Sequence, residues 1–309
     1  YNAMCRYVDY LTSRSKDGIV SHGLGDWYDV VEGGKSGFCH NTLIPLVATA
    51  HYIYDLKLMT CAARMVGNKT DETKYSTLYN KVVEAFNREF YKPDSCCYGT
   101  GSQTSNALPL FLGITGENKE KVLQSLIADI EKHGNRLTTG DVGNRYLFMA
   151  LALNNKDELL YKMLNHYETP GYGFQIKQGA TTLTEQWDPR QGSSWNHLMM
   201  GQIDEWFFKR LAGIQNMPGT NGMRHLLISP TLVGDMTCVK GSTTTLYGKV
   251  EVTFNDNGLY AKIPVGCDAE IVIGSSFRMK VGSGEHYFFF KKSGDTTSIF
   301  KMVDNKKKK

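Results

Sequence analysis

The sequence predicts an α/α toroid of the (α/α)6-barrel type, incomplete in its helix count, followed by a small all-β sandwich domain. Three observations predict it. About eight segments with helical apolar spacing follow one another, joined by glycine-containing loops. The character changes near residue 215, at "NMPGTNG". Beyond that point apolar and polar residues alternate, as in half-buried strands.

Residues 1–15 read as a helix with Met4, Tyr7, Val8 and Leu11 on one face. Residues 16–42 read as a loop rich in glycine and acids, and loops this long inside compact domains tend to be functional. A long apolar helix is expected over 43–66 and a second over 71–91. The second opens on Thr70-Asp71-Glu72, where acids suit the positive end of the helix dipole. Its stripe runs Tyr75, Leu78, Val82, Val83, Phe86 and Phe90. Further helices are expected over 103–113, 117–132, 142–154 and 156–166. The last strong one spans 193–213, with Met199, Ile203, Trp206, Phe207 and Leu211 facing inward.

In the final third, Val250, Val252 and Phe254 alternate with Lys249, Glu251 and Thr253. The turn "NDNG" (255–258) leads into Leu259, Ala261 and Ile263, and Asn257-Gly258 is a strong hairpin signal. Residues 231–245, 269–273 and 286–291 add strand-like pieces to an antiparallel sandwich. The expected organisation is a helical catalytic domain over 1–214, a β-sandwich over 215–303 and a disordered lysine-rich tail over 304–309.

The chain has 309 residues, 21% of them charged and 41% hydrophobic, which is ordinary globular composition. The net charge of +4 includes the four lysines of 306–309, so the rest is close to neutral. Charge therefore points to no nucleic acid and no membrane as partner. No stretch approaches the roughly 20 apolar residues of a membrane span. Seven cysteines, an odd count without any CxxC, read as free thiols, and zinc is not expected.

Two stretches carry candidate chemistry. "GLGDWYDV" (23–30) sets Trp27 and Tyr28 between Asp26 and Asp29. "GATTLTEQWDPRQGSSWNH" (179–197) contains Glu185, Trp187, Asp188, Trp195 and His197. An acid beside an aromatic ring suits a sugar. The ring stacks on the C–H face of the pyranose and the carboxylate accepts from its hydroxyls. The indole also walls off water and raises the pKa of a neighbouring carboxyl. Each residue has a plainer reading: Glu185 as a surface acid or helix cap, Trp187 and Trp195 as packing, His197 as a structural histidine, Asp26 as a turn acid. The pairing of two distant loops, each offering an acid next to Trp, favours the sugar site.

With these residues in place the chain resembles the bacterial α-L-rhamnosidases, family 78 of the glycoside hydrolases. The likeness runs in order through "SHGLGDWYDV", "NTLIPLVATAHYIYDL", "GSQTSNALPLFLGI", "RLTTGDVGNRYLFMAL", "GYGFQIKQGATTLTEQWD" and "SWNHLMMGQIDEWFFKRLAGI", over about residues 1–215. The resemblance implies hydrolysis of terminal α-L-rhamnose with inversion on an (α/α)6 barrel. It implies that Glu185 is the general base, that Asp26 and Trp27 line the rhamnose site, and that His197 approaches the sugar. Trp187 joins them as a substrate-binding residue. No metal and no cofactor is implied, and the partner is a rhamnose-containing oligosaccharide, polysaccharide or glycoside.

The same resemblance implies a departure. An inverting glycosidase needs two carboxyls roughly 6.5–9.5 Å apart. The family's general acid sits in an arginine- and acid-rich motif followed by Trp, upstream of the "GDW" position, and nothing like it occurs between Tyr1 and Gly23. A full barrel also has roughly twelve helices against the about eight read here. The expectation is a C-terminal portion of a longer enzyme, poorly folded, associated or inactive without its N-terminal part. The competing expectations are another saccharide enzyme on the same toroid, an uronyl hydrolase or polysaccharide lyase, and a non-catalytic carbohydrate-binding protein. Acidic-sugar enzymes need several cations in the pocket, and the motif loops offer mainly Arg145 and Arg190.

Overall fold

The computed structural model describes residues 1–31, 37–275, 277–293 and 296–301. The lysine tail expected over 304–309 lies outside the described residues, as does part of the first loop. The chain divides into two compact units, Tyr1–Gly201 and Gln202–Lys309.

The first unit is helical. Its helices are α1 (Asn2–Arg14), α2 (Ile44–Met65), α3 (Lys69–Phe90), α4 (Gln103–Leu112), α5 (Lys119–Lys132), α6 (Gly143–Leu153), α7 (Asp157–Leu164) and α8 (Tyr172–Lys177). Local chemistry sets their ends. Pro45 stands in the first turn of α2, where its missing N–H costs nothing. The Asn68 side chain caps α3 by accepting from the Asp71 amide, and Ser102 caps α4 by accepting from Ser105. α4 ends on Gly113 in the left-handed conformation. A short hairpin, β1 (Tyr91–Lys92) with β2 (Cys97–Tyr98), follows α3 directly.

α2 packs on α3, and α4 on α6. The α3 stripe buries Tyr75, Val82, Ala85, Phe86 and Phe90. Phe86 meets the rings of Phe90 and Tyr98 at centroid distances of 5.0 and 5.7 Å. α4 and α6 are buried on nearly every side, as the central helices of a large core are. α1 differs from expectation. Val8 and Leu11 are buried, but Met4 and Tyr7 of the same predicted face are exposed.

The helix expected over 193–213 is not continuous. It breaks into a 3₁₀ turn (Leu198–Gln202), a single α-turn α9 (Ile203–Trp206) and a π-turn (Phe207–Leu211), and a strand begins at Ile214. A π-turn shifts the register of every residue after it. Ile203, Trp206 and Leu211 are buried as expected, whereas Phe207 is 44% exposed.

The second unit is a two-sheet sandwich. One sheet has strand order β11-β10-β7-β6-β5, built from β5 (Cys238–Thr245), β6 (Gly248–Asn255), β7 (Gly258–Ile263), β10 (Gly284–Ser293) and β11 (Thr296–Lys301), all antiparallel. The other has order β3-β4-β8-β9, from β3 (Ile214–Asn216), β4 (His225–Ile228), β8 (Asp268–Ile273) and β9 (Phe277–Val281). The expected purely antiparallel arrangement needs one correction, because β4 and β8 pair in parallel. The chain leaves β4 and builds β5, β6 and β7 in the opposite sheet before β8 returns, so the two strands run the same way. The hairpin read from "NDNG" is present, with Asn255 opposite Gly258. Ile228, Val250, Val252, Leu259, Ala261, Ile271 and Phe288 fill the core from both sheets.

Two substitutions test this account. Phe86→Ala removes a fully buried ring and should cost about 3–5 kcal/mol. Phe207→Ala, on the exposed side of the π-turn, should cost about 0.5 kcal/mol or less. Thermal unfolding of the two variants against the parent reads the difference, and an equal loss from both would contradict the assigned faces.

Candidate active site

The loop 23–30 answers its own oddity. Both of its acids turn inward and its rings are left near the surface. Asp26 is 0% exposed. Its Oδ2 accepts from the Thr104 hydroxyl and, at 3.0 Å, from the Gly140 amide, while Oδ1 accepts from the Gly143 amide at 2.7 Å. Asp29 is buried too. It accepts from the backbone amides of His40 (2.8 Å) and Asn41 (2.6 Å) and faces the His40 ring at 3.1 Å. Cys39 completes the cradle: its Sγ accepts from the Asp26 amide at 3.1 Å and donates to the Thr42 carbonyl at 2.9 Å. Burial pushes that thiol up to about 11, so it stays protonated and structural.

The loop 138–143, preceding α6, is laced onto this cradle. The Asp141 amide donates to the Trp27 carbonyl at 2.7 Å, and the Val30 amide to the Thr138 carbonyl at 3.1 Å. Asn41 bridges both loops, donating to Val30 and Thr138. The approach is close enough to require glycine. A Cβ on Gly140 would lie 2.1 Å from the Trp27 oxygen, and one on Gly143 would lie 2.4 Å from Asp26 Oδ2.

With the acids spent inward, Trp27 and Tyr28 stand half-buried at the rim. Trp27 meets Tyr28 edge-on at 5.8 Å and leans on Phe38 at 5.9 Å. Tyr28 sits at φ +60, an uncommon conformation for a bulky residue, in the turn closed by the Asp29 amide on the Asp26 carbonyl. Such strain persists only where the surroundings impose it.

The second loop presents Glu185 between buried neighbours. Thr184 and Gln186 are buried, and Thr184 donates to the Gln186 carbonyl at 2.7 Å. Trp187 is 3% exposed, donates to the Thr139 carbonyl at 3.3 Å and packs edge-on against Tyr172 at 5.2 Å. Glu185 is left half-exposed, its Oε2 accepting from the Ser194 amide at 3.0 Å and its own amide donating to the Ser194 carbonyl. His197 is half-buried on the returning strand of the same loop, its amide on the Leu183 carbonyl at 3.0 Å. Trp195 is exposed, and its indole donates to the Pro189 carbonyl.

Electrostatics joins the three loops. Burial pushes Asp141 up to about 7, and the charges of Asp26 and Glu185 add to the rise. Burial raises Tyr28 as well, with Glu185 and Asp141 next in effect. Tyr28, Asp141 and Glu185 therefore share one local field. Burial also pushes Asp26 up to about 6, against the opposing pull of its three donors.

Two expectations need correction. Asp26 was expected to accept from sugar hydroxyls, but its carboxylate is sealed off and its lone pairs are taken by Thr104, Gly140 and Gly143. Trp187 was expected to contact substrate, but it is core, bonded to Thr139. Trp27, Glu185 and His197 keep accessible surface. Sequence reasoning passed over Asp141 and Tyr28. The available signal was the acid between two glycines in "TTGDVG", a spacing that packs backbone against backbone. Among the described residues no group of three or more His, Cys, Asp or Glu is placed to hold a metal ion, and no helix is long and apolar enough to cross a membrane.

Comparison with known proteins places these features in a family. The family model described as bacterial alpha-L-rhamnosidase 6 hairpin glycosidase domain matches residues 1–211, and that described as bacterial alpha-L-rhamnosidase C-terminal domain matches 213–288. An alpha-L-rhamnosidase of Formosa agariphila is 31% identical over 88% of this chain, and one of Streptomyces avermitilis 26% identical over 93%. The chain spans 31% and 30% of the length of these relatives. Among solved structures, alpha-L-rhamnosidase from Dictyoglumus thermophilum superposes with TM-score 0.87 at 29% identity, over 94% of this chain and 36% of the other. The Streptomyces avermitilis enzyme complexed with L-rhamnose gives 0.83 at 23% identity, covering 93% and 30%, a likeness of fold.

The raised carboxyls make a pH test. Both exceed the roughly 3.9 of an unfolded aspartate, so the folded state binds these protons more tightly. Their stabilisation is full below about pH 4 and is lost as pH rises through about 6 for Asp26 and about 7 for Asp141. Asp141→Asn, which mimics the protonated form, should narrow the gap in urea midpoint between pH 4.5 and pH 8. An unchanged gap would show that Asp141 titrates normally.

Proposed function

We propose, from the premise that this chain belongs to the family of bacterial α-L-rhamnosidases with a six-hairpin glycosidase domain, that it forms the base-bearing part of an inverting α-L-rhamnosidase. The observation that carries the reading is Glu185: a half-exposed carboxylate on a loop anchored through buried Thr184, Gln186 and Trp187. A general base must reach water without swinging freely, and this side chain does both. Glu185 deprotonates the water that attacks the anomeric carbon. Trp27 offers its face to the sugar ring, and His197 stands on the same loop as the base to bind a hydroxyl.

Asp141 is buried, so it does not serve as the acid that protonates a leaving group in the open site. Its raised pKa has a different consequence. Near neutral pH it is only partly ionised, which spares Glu185 a second full negative charge close by. The general acid then comes from polypeptide of the same enzyme outside these residues, the N-terminal partner this reading requires. The substrate is a terminal α-L-rhamnoside on an oligosaccharide, polysaccharide or smaller glycoside.

The acidic-sugar reading is weaker on one observation. Arg190 is clamped on Asp188 through two bonds of 2.8 and 2.7 Å and lies over the Phe174 ring. Arg145 lies over the rings of Phe111 and Tyr146. Both guanidiniums are already engaged, which leaves them less able to meet a substrate carboxylate.

In the enzyme that contains this chain, Glu185→Gln should lower kcat on an aryl α-L-rhamnoside by about 10²–10⁴ with KM little changed. Normal turnover would end the assignment. NMR of the first-formed sugar should show β-L-rhamnose, and α-L-rhamnose would replace inversion with retention.

A further inference from the structure

The outward face of the five-stranded sheet in the second unit carries an aromatic row. Register places Thr253 of β6, Tyr260 of β7 and Tyr287 of β10 side by side, and Phe289 of β10 beside Phe300 of β11. Tyr260 and Tyr287 are in contact, with centroids 5.0 Å apart and planes tilted by 44°. Tyr287, Phe289 and Phe300 are 40, 45 and 55% exposed. A row of exposed rings on one sheet face marks a candidate interaction surface.

The row is interrupted at one position. Phe289 pairs with Gly258, which pairs in turn with Asn255, so no side chain fills the middle of that rung. The gap is a depression of about 170 Å³, lined by Thr253, Asn255, Asn257, Tyr260, Tyr287 and Phe289. A second depression of about 320 Å³ adjoins it, lined by Lys240, Ser242, Glu251, Thr253 and Tyr260. Thr253 and Tyr260 border both, so the two form one trough across the strands. Together they fall within the roughly 300–1,000 Å³ of small-ligand clefts.

The lining chooses the occupant. Rings and the amides of Asn255 and Asn257 line one end, and hydroxyls, the Glu251 carboxylate and the Lys240 ammonium line the other. Glu251 pairs with Lys249, and with Lys262 at 4.0 Å, and Lys240 adds a further cation to the lining, so the trough carries a small positive excess. A nucleic acid needs a stripe of cations free to meet phosphates, and two of the three lysines here face Glu251. Flat C–H faces stack on rings while hydroxyls meet Asn, Ser, Thr and Glu, and a pyranose has both surfaces.

We propose that this trough is a glycan-binding surface that holds a polysaccharide chain apart from the Glu185 site. The identity of the chain as the enzyme's own substrate rests on the rhamnosidase reading above; the binding itself does not. The enzyme that contains this chain is run by affinity electrophoresis in gels containing rhamnogalacturonan I, arabinogalactan or xyloglucan. Retardation in at least one is expected. Tyr287→Ala/Phe289→Ala should raise the apparent Kd about tenfold or more. Thr253→Arg, which obstructs the trough without removing a ring, should do the same, so a folding failure of the double variant leaves a second reading. Met65→Ala, exposed on α2, should be retarded like the parent. Three results overturn the proposal: no retardation of the parent in any gel, loss with Trp27→Ala but not with Thr253→Arg, or a self-association that the Thr253→Arg variant abolishes without any glycan binding. Failure of rhamnoside hydrolysis would strike the substrate identity alone.

Discussion

A single carboxylate with no water around it holds the candidate site in shape. Asp26 accepts from Thr104, Gly140 and Gly143, which lie far away in the chain and arrive from two different segments. Desolvating a carboxylate is expensive, and three donors repay it only in part, as the rise to about 6 records. Removing any one donor would leave a buried charge short of partners, a larger loss than an ordinary hydrogen bond is worth. The loop 23–30, the start of α4 and the start of α6 are therefore coupled. A displacement of one withdraws a partner from the others.

That coupling explains why aromatic rings flank acids in so short a stretch. The acids supply attachment, and attachment to backbone N–H groups needs no particular partner side chain. Asp29 does the same for residues 39–41. The rings then inherit a fixed backbone. Trp27 and Tyr28 are pre-positioned by the turn beneath them, so ordering them on a ligand costs little further entropy. Anchors bracket the two rings, Asp26 before them and Asp29 after.

Much of the fold was legible because periodicity is local. The stripe Tyr75–Phe90 and the alternation through Val250 and Val252 each depend on near neighbours in the chain. The stretch 193–213 was misread for the complementary reason. Its apolar spacing fits an α-helix, and nothing in the spacing announces a π-turn after Trp206. Asp26 was misread because burial of an acid depends on who donates to it, and Thr104, Gly140 and Gly143 are distant residues. Which side of each loop is left accessible is decided by packing. Glu185 stayed accessible while its neighbour Trp187 went inward, a distinction carried by the Trp187–Thr139 bond and not by residue type.

The same packing sets the chemistry available to Glu185. The charges of Asp26 and Glu185 both reach Asp141. Burial grades their exposure. The two sealed acids rise toward neutrality and hold protons for part of the time, and the half-exposed one keeps access to water. The accessibility of Glu185 thus contrasts with how thoroughly its neighbours are hidden. The glycines at 140 and 143 therefore matter to the site although neither carries a functional group: they let the backbone close over Asp26 and Asp141.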